Sequence, residues 1–291
     1  MAISCAAPSQ DFLGESPLWC DQTESLLWID IDRATLHRAH LVSGRRDTFR
    51  FAARSLGSLA LRRAPGSVAL ALDASLYTFD LGSGQLTMLA EIEPATSNTR
   101  LNDGRCDANG DLWVGTMDNG LAAPTGSFYR AGADGTAVRQ FGDVIVSNTV
   151  AISPDQLTLY FSDTRRHVTW AFDLNPNDRT LSNRRIFVDH RARKERPDGA
   201  CVDSEGALWV AMFAGGRVDR YTKEGRFVRS IALPVTNPTC VCLGGPGYRT
   251  LFITTARKFL SNEQLDKEPL AGSVLGIDVD VPGLPEKRFG A

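Results

Sequence analysis

A turn followed by a strand that opens Leu-Trp or Leu-Tyr recurs along this chain, and its even spacing leaves few folds open. The clearest copies are Asp107-Ala-Asn-Gly-Asp-Leu-Trp-Val-Gly-Thr, Ser153-Pro-Asp-Gln-Leu-Thr-Leu-Tyr-Phe-Ser-Asp and Asp203-Ser-Glu-Gly-Ala-Leu-Trp-Val-Ala-Met. In each, Asp, Asn and Gly suit a tight turn, and the Leu-aromatic run suits a strand on a packed, pleated surface. Weaker copies start at Cys20, Ala64 and Gly244. That makes six, at intervals of roughly 42 to 50 residues, the period of four-stranded propeller blades. Further strands parse between the copies, such as Ser75–Asp80 and the run from Leu86 to Ile92, so four strands per repeat are available. Helical periodicity is almost absent. The sequence predicts an all-β chain: a six-bladed β-propeller with four-stranded blades around a central channel, one domain spanning 1–291.

Composition narrows the partners. With 43% of 291 residues hydrophobic, the chain can bury a full core, and 32 basic residues nearly balance 34 acidic ones. The short basic runs Arg45-Arg46, Arg62-Arg63 and Arg191-Ala-Arg-Lys are separated by neutral sequence, so no nucleic-acid partner is expected. The N-terminus has no basic segment leading into an apolar stretch, and no run approaches membrane-spanning length. A cytoplasmic protein without a membrane partner, a monomer or small homo-oligomer, is the expectation. Six cysteines with no C-x-x-C pair read as free thiols, with Cys240 and Cys242 packed on one strand face. The histidines His37, His40, His167 and His190 are scattered and read as solvated loop residues.

Equal offsets within a repeat become equivalent positions in space. Glu15, Asn102, Asn148 and Asp198 each precede a Leu-aromatic couple (Leu27-Trp28, Leu112-Trp113, Leu159-Tyr160, Leu208-Trp209) by roughly 10 to 12 residues. They therefore converge at one mouth of the channel, at the entrances of the innermost strands. Two carboxylates and two amides in a small space form a set of hard oxygen donors for one divalent cation. Glu15 and Asp198 neutralise its charge, and Asn148, with Asn102 as a further candidate, supplies amide oxygen. Calcium, magnesium, manganese and iron(II) suit such donors, and zinc suits a smaller set. Arg100 lies two residues before Asn102, so both side chains leave an extended strand on one face and can grip substrate oxygens. Asp103 faces away and supports its neighbours. Asp118, after the third Leu-Trp strand, is a further candidate for substrate contact. The chain has no G-x-S-x-G elbow, phosphate-binding glycine loop or H-E-x-x-H, so serine hydrolase, nucleotide and zincin chemistries lack their residues.

The segments Leu13-Gly-Glu-Ser-Pro-Leu-Trp, Arg100-Leu-Asn-Asp-Gly-Arg-Cys-Asp, Ser147-Asn-Thr-Val-Ala-Ile-Ser-Pro-Asp and Pro197-Asp-Gly-Ala-Cys-Val-Asp resemble, in order, those of the SMP-30/gluconolactonase family. The resemblance implies a divalent metal held by Glu15, Asn148 and Asp198, and substrate held by Arg100 and Asn102. It implies hydrolysis of a small-molecule sugar-acid lactone to the aldonic acid, with Asp198 or a metal-bound hydroxide as the base. Thr254-Thr-Ala-Arg-Lys with Leu260-Ser looks like the bacterial members that serve oxidative sugar catabolism. Thr149 departs from the family, many of whose members have Gly after the ligand Asn. Two alternatives stand beside this reading: a propeller esterase or phosphoesterase, and a calcium-binding regulatory module without turnover.

Overall fold

A computed structural model describes residues 2–290. Six antiparallel four-stranded sheets form a ring, the six-bladed propeller that the repeat predicts. The first five blades are each continuous in sequence, with inner strands Gly14–Cys20, Leu56–Leu61, Thr99–Cys106, Ser147–Ile152 and Arg196–Val202. In the sixth, the inner strand Pro238–Gly244 is followed by Thr250–Thr255 and Val274–Asp278, and the N-terminal strand Ser4–Ala7 completes the sheet. This strand pairs antiparallel with Val274–Asp278, so the two ends of the chain close the ring by backbone hydrogen bonds. At the far end of the channel, Glu286 of the C-terminal tail pairs with Arg105 at 2.6 Å. One short α-helix, Asn262–Lys267, is capped by Ser261, and no helix of the described residues is long and apolar enough to cross a membrane.

The Leu-aromatic repeat has a packing reason. Six apolar clusters form, one between each pair of adjacent blades, so every blade is buried on both faces. In blades three to six the Leu of each couple packs toward the preceding blade and the aromatic toward the next, as with Leu159 and Tyr160. A strand covered on both faces is continuously apolar rather than alternating. In the first blade the equivalent couple is Leu26-Leu27, one residue earlier than the sequence suggested, because Trp28 packs back on the sixth blade. With that correction Glu15, Asn148 and Asp198 occupy equivalent places: Leu18, Ala151 and Cys201, each three positions on, pair with Leu27, Tyr160 and Trp209.

In the third and fifth blades the turn is locked by its Asp. Asp107 accepts from the Asp111 N–H at 3.0 Å and from the Trp113 indole at 2.9 Å. Asp203 repeats this with Ala207 and Trp209. Buried Trp N–H groups need such a partner, which ties the turn sequence to the aromatic six residues on.

All six cysteines are free, and only Cys5 is exposed. His167 lies in a turn, as expected, and the other three histidines differ from the solvated loop residues expected. His37 and His40 lie in the strand Thr35–His40; His37 stacks on Trp28 at 5.0 Å and sits 3.1 Å from Asp11. His190 is wholly buried beside Thr169.

Candidate functional site

Every inner strand carries a β-bulge at the same place, between Glu15 and Leu18, Leu56 and Ser58, Leu101 and Gly104, Asn148 and Ala151, Pro197 and Ala200, and Pro238 and Cys240. A bulge inserts an unpaired residue and re-aims its side chain. Here it directs the polar residues toward the channel mouth. Ser16 and Thr149, which follow Glu15 and Asn148, take φ of 47° and 57°, the left-handed region that β-branched residues rarely enter. Glu15, Arg100, Asn102, Asn148 and Asp198 thereby line one cavity of about 90 Å³.

Hydrogen bonds fix the amides. Arg100 Nη1 donates to Asn102 Oδ1 at 2.5 Å and to the Leu101 carbonyl at 3.0 Å. Asn102 Nδ2 in turn donates to the Ser147 carbonyl and to Asn148 Oδ1, at 2.7 and 3.0 Å. Asn148 Nδ2 donates to Thr164 Oγ1, which donates to the Pro197 carbonyl, both at 2.8 Å. This chain leaves the Asn148 oxygen with one acceptor position. The Asn102 oxygen also accepts one bond, but from the charged Arg100 guanidinium, which repels a cation there, while the Asn102 N–H groups orient Asn148.

The carboxylates are held very differently. Glu15 accepts one long bond, from the Ser16 N–H at 3.3 Å, and among the described residues no hydrogen bond reaches the Asp198 carboxylate. Burial pushes Glu15 well above the usual carboxylate range; the charges of Asp198 and Asp103 push further, against the Ser16 N–H and Arg100. Asp198 is raised well above its range by burial and then by Asp103, against Arg196 and Arg100. Carboxylates buried together and underbonded gain greatly from a bound cation. The cavity lining offers oxygen donors and neither Cys nor His, which suits a hard divalent ion. Among the described residues, no group of three or more His, Cys, Asp or Glu side chains forms a metal cluster; the oxygens that this cavity gathers are those of two carboxylates and the neighbouring amides.

Asp103 points away, as expected. Its Oδ2 accepts the Val150 N–H at 2.7 Å, and burial raises it to about 6 despite that bond. Asp118, expected to contact substrate, lines neither this cavity nor the neighbouring one. Its carboxylate accepts the Ala122 and Ala123 N–H groups, both at 3.0 Å, and those bonds hold it below the usual range. It anchors the loop that brings Leu121 to the cavity.

Sequence reasoning missed Thr164, Arg165, Arg196, Phe213, Lys258 and Phe259, which also line the cavity. Arg196 was findable, because it stands two residues before Asp198 as Arg100 stands before Asn102. The same offset gives Leu13 and Val146, and all four line the cavity. Arg100, Met117, Leu121 and Lys258 are shared with a wider vestibule of about 380 Å³.

Residues 13–257 match the family model described as SMP-30/Gluconolactonase/LRE-like region. The chain is 37% identical over 288 residues to the 6-deoxy-6-sulfogluconolactonase of Pseudomonas putida, covering 99% of this chain and 98% of that one. It is 35% identical to the L-arabinolactonase of Azospirillum brasilense, over 97% and 94% of the two chains. A crystal structure of a calcium-binding protein, regucalcin, from Agrobacterium tumefaciens superposes with a TM-score of 0.94 at 29% identity, covering 99% and 97%.

Proposed function

The chain belongs to the SMP-30/gluconolactonase family, and from that premise we propose that it is a sugar lactonase whose channel-mouth site works with one divalent metal ion. Its substrate is an aldono-1,4- or 1,5-lactone, and it acts in the cytoplasm in sugar catabolism. The lactonases among its relatives support the reaction. The observation that carries the metal dependence is the pair of underbonded, buried carboxylates Glu15 and Asp198 around one cavity with the Asn148 oxygen.

Glu15, Asn148 and Asp198 would hold the cation, which supplies Lewis-acid polarisation of the lactone carbonyl. Asp198 orients the attacking water, takes its proton as the carbonyl becomes tetrahedral, and returns it to the ring oxygen as the acyl C–O bond breaks and the ring opens to the aldonic acid. Arg100, bonded through one amino group to Asn102, keeps its other N–H donors for ring and hydroxyl oxygens of the sugar, and so fixes which carbonyl face meets water. Phe213 and Phe259 wall the cavity in a T-shaped pair with centroids 6.3 Å apart, giving the C–H face of the ring an apolar surface.

Asp198→Ala is expected to lower kcat by about 1,000-fold or more with the circular dichroism spectrum unchanged, and Arg100→Ala to raise KM by roughly 10-fold. Wild-type turnover in Asp198→Ala would sink the assignment.

A further inference from the structure

The charges at the channel mouth do not balance. Arg100, Arg165 and Arg196 line the inner cavity, and among the described residues none of them has a carboxylate within ion-pair distance. The exposed Arg165 side chain donates only through Nε, to the Leu121 carbonyl at 2.8 Å, which leaves its terminal amino groups free. The Arg196 guanidinium makes no hydrogen bond among the described residues and lies over the Phe213 ring, 5.9 Å from its centroid. The vestibule is built otherwise. Its Lys258 pairs with Asp32 at 2.7 Å and its Arg54 with Asp73 at 3.8 Å. A polar vestibule in which Lys258 and Arg54 are paired with carboxylates fits hydroxyl groups. An inner wall of unpaired guanidiniums fits an anion, because planar donors of this kind bind carboxylate, sulfonate or phosphate oxygens in pairs.

Glu15 and Asp198 cannot absorb all of that charge. They leave an excess of positive charge on the wall even without a metal, and a bound dication would neutralise both and leave all three arginines uncompensated. Arg165 follows the second strand of the fourth blade and Arg196 opens the fifth, so two of the three guanidiniums lie on one side of the ring. The vestibule, lined by Asp32, Arg54, Asp73 and Asn98, lies toward the first three blades.

We propose that this site selects lactones carrying a second, acidic group on the carbon chain, a carboxylate, sulfonate or phosphate, which Arg165 and Arg196 receive. The inference rests on the lactonase reading for its reaction but not for its charge preference. The test has two arms on the full-length, metal-loaded protein. In the first, kcat/KM is compared for a neutral hexonolactone and for its counterpart with a terminal carboxylate. The acidic lactone is expected to be favoured by 10-fold or more. Arg165→Gln/Arg196→Gln should lower that ratio by at least 10-fold, and raising ionic strength should erode it in the wild type alone. In the second, calorimetry compares binding of an open-chain aldarate, a dicarboxylate, with the matching aldonate. Tighter aldarate binding that the double variant abolishes supports the proposal, with or without turnover on any lactone. A ratio near one in both arms, or a preference that survives the double substitution, overturns it. If no lactone turns over but the aldarate is selected, the reaction assignment fails and the anion site stands.

Discussion

Thr149 carries two opposed demands. Its φ of 57° strains a β-branched residue, a cost on the order of 1–3 kcal/mol, while its hydroxyl donates to the Asp198 carbonyl at 2.5 Å. That bond ties the fourth inner strand to the fifth at the candidate metal ligand. Thr149→Gly removes strain and bond together, so its stability should stay within about 1 kcal/mol of wild type. Thr149→Val keeps the strain and leaves a buried carbonyl unpaired, so it should lose about 1–3 kcal/mol in urea unfolding. Equal stability of Thr149→Val and wild type would show that the bond contributes nothing. His190 gives a pH dependence of known sign. Burial lowers it from 6.5 to about 4, so the unfolded chain takes up a proton between those values and the folded chain does not. Stability falls as pH drops through that window. His190→Gln should flatten the decline of the melting temperature between about pH 6.5 and 4; an identical slope would place the acid sensitivity elsewhere.

At the scale of the blade, the Asp-to-Trp clasp and the bulge explain what the sequence shows and what it hides. Asp203 holds Ala207, Trp209 and both Nε and Nη2 of Arg220, whereas Asp107 holds Asp111 and Trp113. Asp107→Ala should cost about 2–3 kcal/mol by leaving a buried indole N–H unpaired. Asp203→Ala should cost measurably more, since Arg220 loses its buried partner too; the opposite order in denaturant midpoints would discount the clasp. Turn and strand were legible because both are local: an Asp-Gly turn and a Leu-aromatic couple have fixed spacing. The bulges were not, since register shifts depend on the partner strand. Leu27-Trp28 was read one residue late for another non-local reason, the packing of Trp28 on the sixth blade, and the loop hydrogen bonds of Asp118 likewise lie outside the repeat.

For the whole molecule, the ring turns six weak sequence signals into one site. Glu15, Asn148 and Asp198 meet because three blades present equivalent positions at one cavity, and spacing showed that equivalence to within a residue. Closure by the N-terminal strand was not read, because Ser4–Ala7 is short and finds its partner, Val274–Asp278, at the other end of the chain. The wall of arginines was half legible: Arg196 follows the offset of Arg100, but Arg165 arrives from a turn outside the repeat pattern. The proposed metal-dependent lactonase activity rests on the buried carboxylates at this mouth. It is tested most directly by pH-indicator assays of pentono- and hexonolactones, using metal-stripped protein resupplied in turn with calcium, magnesium, manganese, zinc or iron(II). Acid release above the spontaneous rate, lost on stripping and restored by an oxygen-preferring ion, is the predicted result. Full activity in the stripped protein, or no rate above background with any ion, would contradict it.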